Sequence, residues 1–139
     1  MADTDWNDLR THAFAAMRNA YAPYSGFTVG AAGLTADGRV VVGCNVENVS
    51  LGLTVCAENV LVGNLFVSGG GRLHAVACVG PEGAAVMPCG RCRQVLLEHG
   101  GPELAVDAGA GPPVLLGELL PRAFGPGETA SGAVRRWTR

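Results

Sequence analysis

Apolar residues recur at three- and four-residue steps between Asp5 and Tyr21, at Trp6, Leu9, Ala13, Ala16, Met17 and Ala20. That spacing gives a helix one apolar face, and Asp3 or Asp5 offers a carboxylate to cap it. Ala22-Pro23-Tyr24-Ser25-Gly26 breaks the pattern. Apolar and small residues then alternate from Phe27 to Leu34, which predicts a strand. Asp37-Gly38 is a hairpin signal, and the valine-rich stretch Arg39 to Cys44 is its second strand. Asn45 to Thr54 is polar and irregular, a kind of loop that often carries ligand contacts.

Helical spacing returns from Val55 to Phe66 and stops at Gly69-Gly70-Gly71. Leu73 to Val79 is an apolar run of strand length, and Pro81 to Pro88 reads as a loop. Cys89 to His99 predicts a helix closed by Gly100-Gly101-Pro102. Leu104 to Val106 and Val114 to Leu116 are short strands, with a helical turn over Gly117 to Leu120. Strands alternating with helices predict a layered α/β domain in which helices cover a mixed sheet. No internal repeat or linker interrupts it. The expectation is one domain over residues 1–124 and a loose tail over residues 125–139.

Length and composition fit that picture. The 139 residues suffice for one core, and 48% of them are hydrophobic. Only 16% are charged, which suits either a surface covered by further copies of the chain or simply a Gly- and Ala-rich composition. The formal net charge is −2. Polyanions need a cationic surface that replaces their counterions, and the terminal Arg135, Arg136 and Arg139 do not make one. A small neutral substrate fits better than a nucleic acid. The N-terminus has no signal-peptide pattern, and no apolar run approaches the ~20 residues of a membrane span. A soluble, cytoplasmic protein is expected. Five cysteines make an odd set for a disulfide framework, so metal or catalysis is the better reading.

Pro88-Cys89-Gly90-Arg91-Cys92 places two thiols at a predicted helix start, where free amides and the helix dipole favour thiolates. The pair alone is open to three readings: a redox disulfide, half of a structural zinc knuckle, or part of a catalytic zinc site. Cys56-Ala57-Glu58 shifts the weight to the third. It adds a sulfur and a carboxylate at a second helix start, and both can reach a metal lying beyond that end. Three thiolates leave one position for water, which zinc makes acidic. Glu58 beside it is a candidate proton carrier. Taken singly, Cys56 is a small buried residue and Glu58 an ordinary first-turn acid. Cys44 and Cys78 lie in apolar strands and are expected to be core.

The pattern of first ligand, one residue, Glu, and later Pro-Cys-x-x-Cys is that of the zinc deaminases. The chain resembles the small homotetrameric cytidine deaminases, which take cysteine as first ligand. The likeness runs from about Asp5 to Phe124 and includes Tyr21-Ala22-Pro23-Tyr24-Ser25, Phe27-Thr28-Val29-Gly30-Ala31-Ala32, Gly43-Cys44-Asn45-Val46-Glu47-Asn48, Cys92-Arg93-Gln94-Val95 and Leu119-Leu120-Pro121-Arg122-Ala123-Phe124. The resemblance implies a three-layer α/β/α sandwich on a mixed, about five-stranded sheet. It implies Zn2+ on Cys56, Cys89 and Cys92, Glu58 as catalytic residue, and deamination of cytidine or deoxycytidine. Asn45 and Glu47 are expected to bind the ribose hydroxyls, and Phe27 to pack on the nucleoside. The Ala57 backbone and Glu58 should read the base edge. Phe124 should stack on a base in a neighbouring subunit of a tetramer with shared sites. Arg93 is expected to donate to the metal-bound sulfurs.

Two positions depart from the family pattern. The residue after the catalytic Glu is usually Arg, and here it is Asn59. A thiolate-rich zinc carries excess negative charge, so one compensating cation is missing. Leu51 stands where the family often has Tyr. These changes leave room for a modified cytosine nucleoside, of the blasticidin or N4-substituted kind, as a runner-up substrate. A non-enzymatic zinc or redox module and a nucleic-acid editor are the readings from other classes. The first leaves Glu58 and the Asn45/Glu47 loop unexplained, and the net charge opposes the second.

Overall fold

The computed structural model describes residues 3–128. Helix α1 (Trp6–Met17) starts where the Asp5 carboxylate accepts the Asp8 N–H at 3.0 Å, satisfying one of the free amides of the first turn. It ends three residues before the last apolar position of the pattern, Ala20. Asn19 and Ala20 donate three residues back, to Ala16 and Met17, and Tyr21 donates to the Asn45 carbonyl at 3.0 Å instead of continuing the helix.

Strands β1 (Gly30–Thr35) and β2 (Val40–Cys44) form the expected hairpin, with Gly38 at φ 90° in its turn. β1 starts three residues later than its alternation suggests: over residues 27–29 the ladder thins to one backbone bond, Asn45 N–H to the Val29 carbonyl at 3.2 Å, and a side chain, described below, holds the rest. Then follow α2 (Ala57–Val67), β3 (Leu73–Val79), α3 (Gly90–Gly100), β4 (Ala105–Val106), β5 (Val114–Leu115) and the short α4 (Leu116–Leu119). Pro126–Glu128 make a 3-10 turn with Pro126 buried, so the folded chain continues past Phe124. The rest of the expected tail, residues 129–139, lies outside the described residues.

The sheet is mixed, with order β2-β1-β3-β4-β5. β1 pairs antiparallel with β2 and β3, β3 pairs parallel with β4, and β4 antiparallel with β5. Its two faces bury separate cores. Leu9, Ala13 and Met17 of α1 meet Ala32, Ala75, Ala77 and Val79 on one side. On the other, Ala57, Leu61 and Leu65 of α2 and Leu96 and Leu97 of α3 meet Ala31, Val41, Val76 and Cys78. Alternation along β1 and β3 sends successive residues to opposite helix layers. The three-layer sandwich on five strands is thus the observed architecture.

Two glycines set how closely the layers approach. A Cβ on Gly30 would lie 1.9 Å from the Ala13 carbonyl oxygen of α1. One on Gly43 would lie 2.3 Å from the Ala57 carbonyl oxygen of α2. Only a residue without Cβ lets these backbones pack so tightly.

Candidate active site

β2 and β3 both end at one edge of the sheet, and each is followed by a helix on the same face. Cys56 is the N-cap residue of α2 and Cys89 that of α3. Neither side chain caps its own helix, so both sulfurs are free to point past the helix ends. Cys92 lies in the first turn of α3 and is fully buried. The three Sγ atoms all lie within 4.8 Å of one another. Zn–S bonds of about 2.3 Å reach across such a triad with little movement.

The electrostatics of the three thiols differ. Burial opposes ionisation of Cys89, but the Cys92 N–H, the Cys92 and Cys56 thiols and the Arg91 N–H all stabilise its thiolate and bring it below the ordinary cysteine value. Burial pushes Cys92 far up, and the nearby Glu58 carboxylate and Cys56 add to that. Burial likewise raises Cys56, with Cys89 and Glu58 close by. One thiolate forms readily at the helix N-terminus, while the other two need a cation among them. That is the behaviour of a donor set built for a metal.

The triad opens into a cleft of about 550 Å³. Its wall includes Phe27, Asn45, Glu47, Ala57 and Glu58, residues singled out from the sequence. Glu58 is only 4% exposed, one residue beyond the start of α2. Ser25, Val29, Thr54, Val86 and Met87 also line the cleft. Sequence reasoning gave these no role. Val86 and Met87 arrive because Val86 N–H donates to the Cys78 carbonyl at 2.9 Å, folding the loop after β3 back along the strand.

The loop carrying Asn45 and Glu47 is stitched on both sides. Glu47 N–H donates to the Tyr21 carbonyl at 2.8 Å, and Val46 exchanges two bonds with Val55, just before Cys56. The Asn45 amide is a clamp: its Oδ1 accepts the Val29 N–H and its Nδ2 donates to the Phe27 carbonyl, both at 2.8 Å. One lone pair and one N–H of that amide remain for a ligand. The Glu47 carboxylate is buried and accepts the Ser25 N–H and hydroxyl. The same Ser25 hydroxyl accepts the Phe27 N–H at 3.0 Å. Ser25 therefore ties the Phe27 segment to the Glu47 carboxylate. The only hint in the sequence is its place in the Tyr-Ala-Pro-Tyr-Ser motif.

Other expected residues sit differently. Arg93 donates to the Pro88 carbonyl at 2.8 Å and to the Leu119 carbonyl at 3.0 Å. Its hold on the centre thus runs through the backbone before Cys89, not through a hydrogen bond to sulfur. Phe124 is 66% exposed and is not part of the cleft of its own chain. Its carbonyl is fixed by Gln94 Nε2 at 2.7 Å. Asn59 follows Glu58 with a buried Oδ1 that has no hydrogen-bond partner among the described residues. Cys78 belongs to the core as expected, but its Sγ also lies 3.4 Å from Glu58 Oε1.

Residues 4–107 match the family model of the cytidine and deoxycytidylate deaminase zinc-binding region. The chain belongs to this family. The metal of the centre is zinc, and its three-thiol donor set fits that ion. Among relatives of this deaminase family, a cytidine deaminase of Mycobacterium tuberculosis is 62% identical over 125 residues, covering 90% of this chain and 93% of that protein. One from Halalkalibacterium halodurans is 42% identical over 120 residues, covering 84% of this chain and 91% of that one. The crystal structure of the Mycobacterium tuberculosis enzyme superposes with a TM-score of 0.86, covering 88% of this chain and 99% of the other. That of the Mycobacterium leprae cytidine deaminase does so with 0.83 at 51% identity, covering 86% and 100%.

Proposed function

We propose that this member of the family hydrolyses cytidine and deoxycytidine to uridine and deoxyuridine, releasing ammonia. The observation that carries the reading is a buried carboxylate, Glu58, in the same cleft as the three converging thiols. The relatives are cytidine deaminases over nearly their whole length, which favours the plain nucleoside over a modified cytosine. It also favours an enzyme over a zinc or redox module.

Cys56, Cys89 and Cys92 would hold the zinc, which when bound would supply the Lewis acidity that makes a water acidic near neutral pH. Glu58 takes one proton of the water as its oxygen bonds to C4 and passes it to N3 of the base; it then takes the second, from the hydroxyl now on C4, and gives it to the amine as the C4–N bond breaks and ammonia leaves. Its burial leaves little solvent to intercept these protons. The Ala57 backbone at the α2 N-terminus presents hydrogen-bonding groups to the base edge. Phe27 packs on the nucleoside, while Glu47 and the spare groups of Asn45 take the sugar hydroxyls. Arg93 holds Pro88, and with it Cys89, in place.

A homotetramer with shared sites completes the reading. Val49, Leu51, Leu53 and Phe124 are all exposed apolar side chains, and an isolated chain gains nothing by presenting them to water. Phe124 reaches into a neighbour's cleft to stack on its base. The reading places this work on a free nucleoside in the cytoplasm. No helix among the described residues is long and apolar enough to cross a membrane.

The test is ammonia release from cytidine, deoxycytidine and cytosine by purified, zinc-loaded protein. Both nucleosides should turn over. Glu58→Gln should abolish turnover while zinc stays bound; a fully active Glu58→Gln enzyme sinks the assigned mechanism.

A further inference from the structure

Cys78 lies on β3, in the core layer between the sheet and the α2–α3 pair. It is 2% exposed and pairs across the ladder with Ala31. Ala31 and Val76 near it on the same face are apolar, and an aliphatic side chain would serve for packing alone. The thiol instead donates to Glu58 Oε1 at 3.4 Å. The Cys92 thiol also lies against that carboxylate, but as a metal ligand it would give up its proton to zinc, which leaves Cys78 as the thiol that keeps its S–H for Glu58. Glu58 stands on a helix above the sheet, and without an anchor its carboxylate has several staggered rotamers to choose from.

We propose that Cys78 is a positioning residue, whose thiol pins one oxygen of Glu58 from the sheet below and so aims the other at the reacting atoms. The proposal rests on Glu58 being the proton carrier. A single weak donor suits the task. It fixes the rotamer yet occupies one lone pair only, leaving Oε2 and the second lone pair of Oε1 for water and base. Burial, followed by the negative charge of Glu58, raises the Cys78 thiol well above its ordinary value. The Cys78 thiol therefore keeps its proton near neutral pH.

Three variants separate aiming from packing. Cys78→Val keeps an apolar filler and removes the donor. Cys78→Ser keeps a donor at nearly the same place. Glu58→Gln tests the reading beneath. Expected are a five- to tenfold fall in kcat for Cys78→Val, with KM within about twofold and full zinc content, and recovery to within about twofold in Cys78→Ser. If Cys78→Val matches the parent while Glu58→Gln is inactive, the positioning role falls and Glu58 stands. If Glu58→Gln is fully active, both fall.

A second readout does not use activity. In the zinc-loaded protein the ligand cysteines carry no S–H, so Cys44 and Cys78 alone supply its infrared stretch. Subtracting the Cys78→Val spectrum isolates the Cys78 band. Glu58→Ala should move that band to higher frequency by removing its acceptor. An unmoved band overturns the proposal whatever the variants do to turnover.

Discussion

Gly43→Ala isolates how the packing of one helix supports the centre. A Cβ there would sit 2.3 Å from the Ala57 carbonyl oxygen and 2.4 Å from the Leu61 nitrogen. Ordinary contact begins near 3.4 Å, so α2 and β2 must part by about 1 Å. Both obstacles are backbone atoms, and no rotamer change relieves them. Overpacking of this kind costs about 1–3 kcal/mol, and the rigid partner places it at the upper end. Whichever element yields, the site moves: α2 carries Cys56 and Glu58, and β2 leads straight into Asn45 and Glu47. A displacement near 1 Å costs roughly a hundredfold in rate. Gly30→Ala is the control. Its Cβ meets the Ala13 oxygen at 1.9 Å, but α1 lies on the opposite face and supplies no proposed site residue. β1 is flanked by two ladders, so α1 is the element that gives. Melting temperature, zinc per chain and kcat on cytidine are the measurements. Both variants should lose comparable stability, while Gly43→Ala alone loses zinc retention and most of its kcat. Equal loss of kcat in both, or a Gly43→Ala enzyme with full zinc and full turnover, would refute the reasoning.

Ser25→Ala removes the hydroxyl that joins Glu47 to Phe27; at about 1–2 kcal/mol for the lost bonds, KM for cytidine should rise roughly five- to thirtyfold with kcat little changed, and Ser25→Thr should restore much of it. Steady-state kinetics decide this, and a KM equal to the parent's would remove Ser25 from sugar recognition. Burial raises the Asp107 carboxyl, but hydrogen bonds from Arg10, at 2.7 Å on both oxygens, and the Gly109 N–H outweigh it and hold the carboxyl below its ordinary value. A depressed carboxylate stabilises the fold above its unfolded value of about 3.9, and that stability is lost as pH falls further. Melting curves from pH 7 to 2 should therefore drop less steeply at the acid end for Asp107→Asn than for the parent, although the variant starts lower; parallel curves would exclude this pair as an acid-labile link. Asn59→Arg should raise turnover, because a cation beside three thiolates offsets their charge, and the Oδ1 it removes is unsatisfied; unchanged or lower turnover counts against the charge argument.

Element order was legible in the sequence wherever period and punctuation agreed. Leu73–Val79 is a strand to the residue, because an apolar run of that length between glycine clusters has few alternatives. Boundaries slipped where tertiary partners took over backbone groups. α1 stops early because Tyr21 donates to Asn45, and β1 starts late because the Asn45 side chain takes the Val29 N–H and the Phe27 carbonyl, leaving one backbone bond, Asn45 N–H to the Val29 carbonyl, where the ladder would continue. The same residue shows what local pattern hides. As a turn former or sugar ligand Asn45 is one residue in a loop, but its clamp exists only once two distant segments meet. Ser25 and Cys78 escaped for a like reason. A serine after a tyrosine and a cysteine in an apolar strand look unremarkable until Glu47 and Glu58 arrive beside them.

That the thiols meet at all follows from topology. β1 is antiparallel to both β2 and β3, so β2 and β3 run parallel to each other. β3 and β4 are parallel as well. α2 and α3 are therefore the crossovers of two successive parallel units, and in the order β2-β1-β3-β4-β5 both units advance in the same direction. Parallel crossovers are right-handed almost without exception. Two of that hand moving the same way must put their helices on one face, and the shared α2–α3 core is the result. Each helix begins beyond the carboxyl end of its preceding strand, so both N-termini open at one edge of the sheet, where α/β folds characteristically bind ligands. A cysteine at each N-cap, with another a turn into the second helix, then suffices to build a three-sulfur site, because the positive helix ends already favour thiolates. Had the chain returned from β3 toward β2, the same rule would have sent α3 to the α1 face. Cys89 and Cys92 would then face away from Cys56, with every local motif intact. The spacing of the cysteines states which residues are ligands; the direction of the crossovers makes them a site.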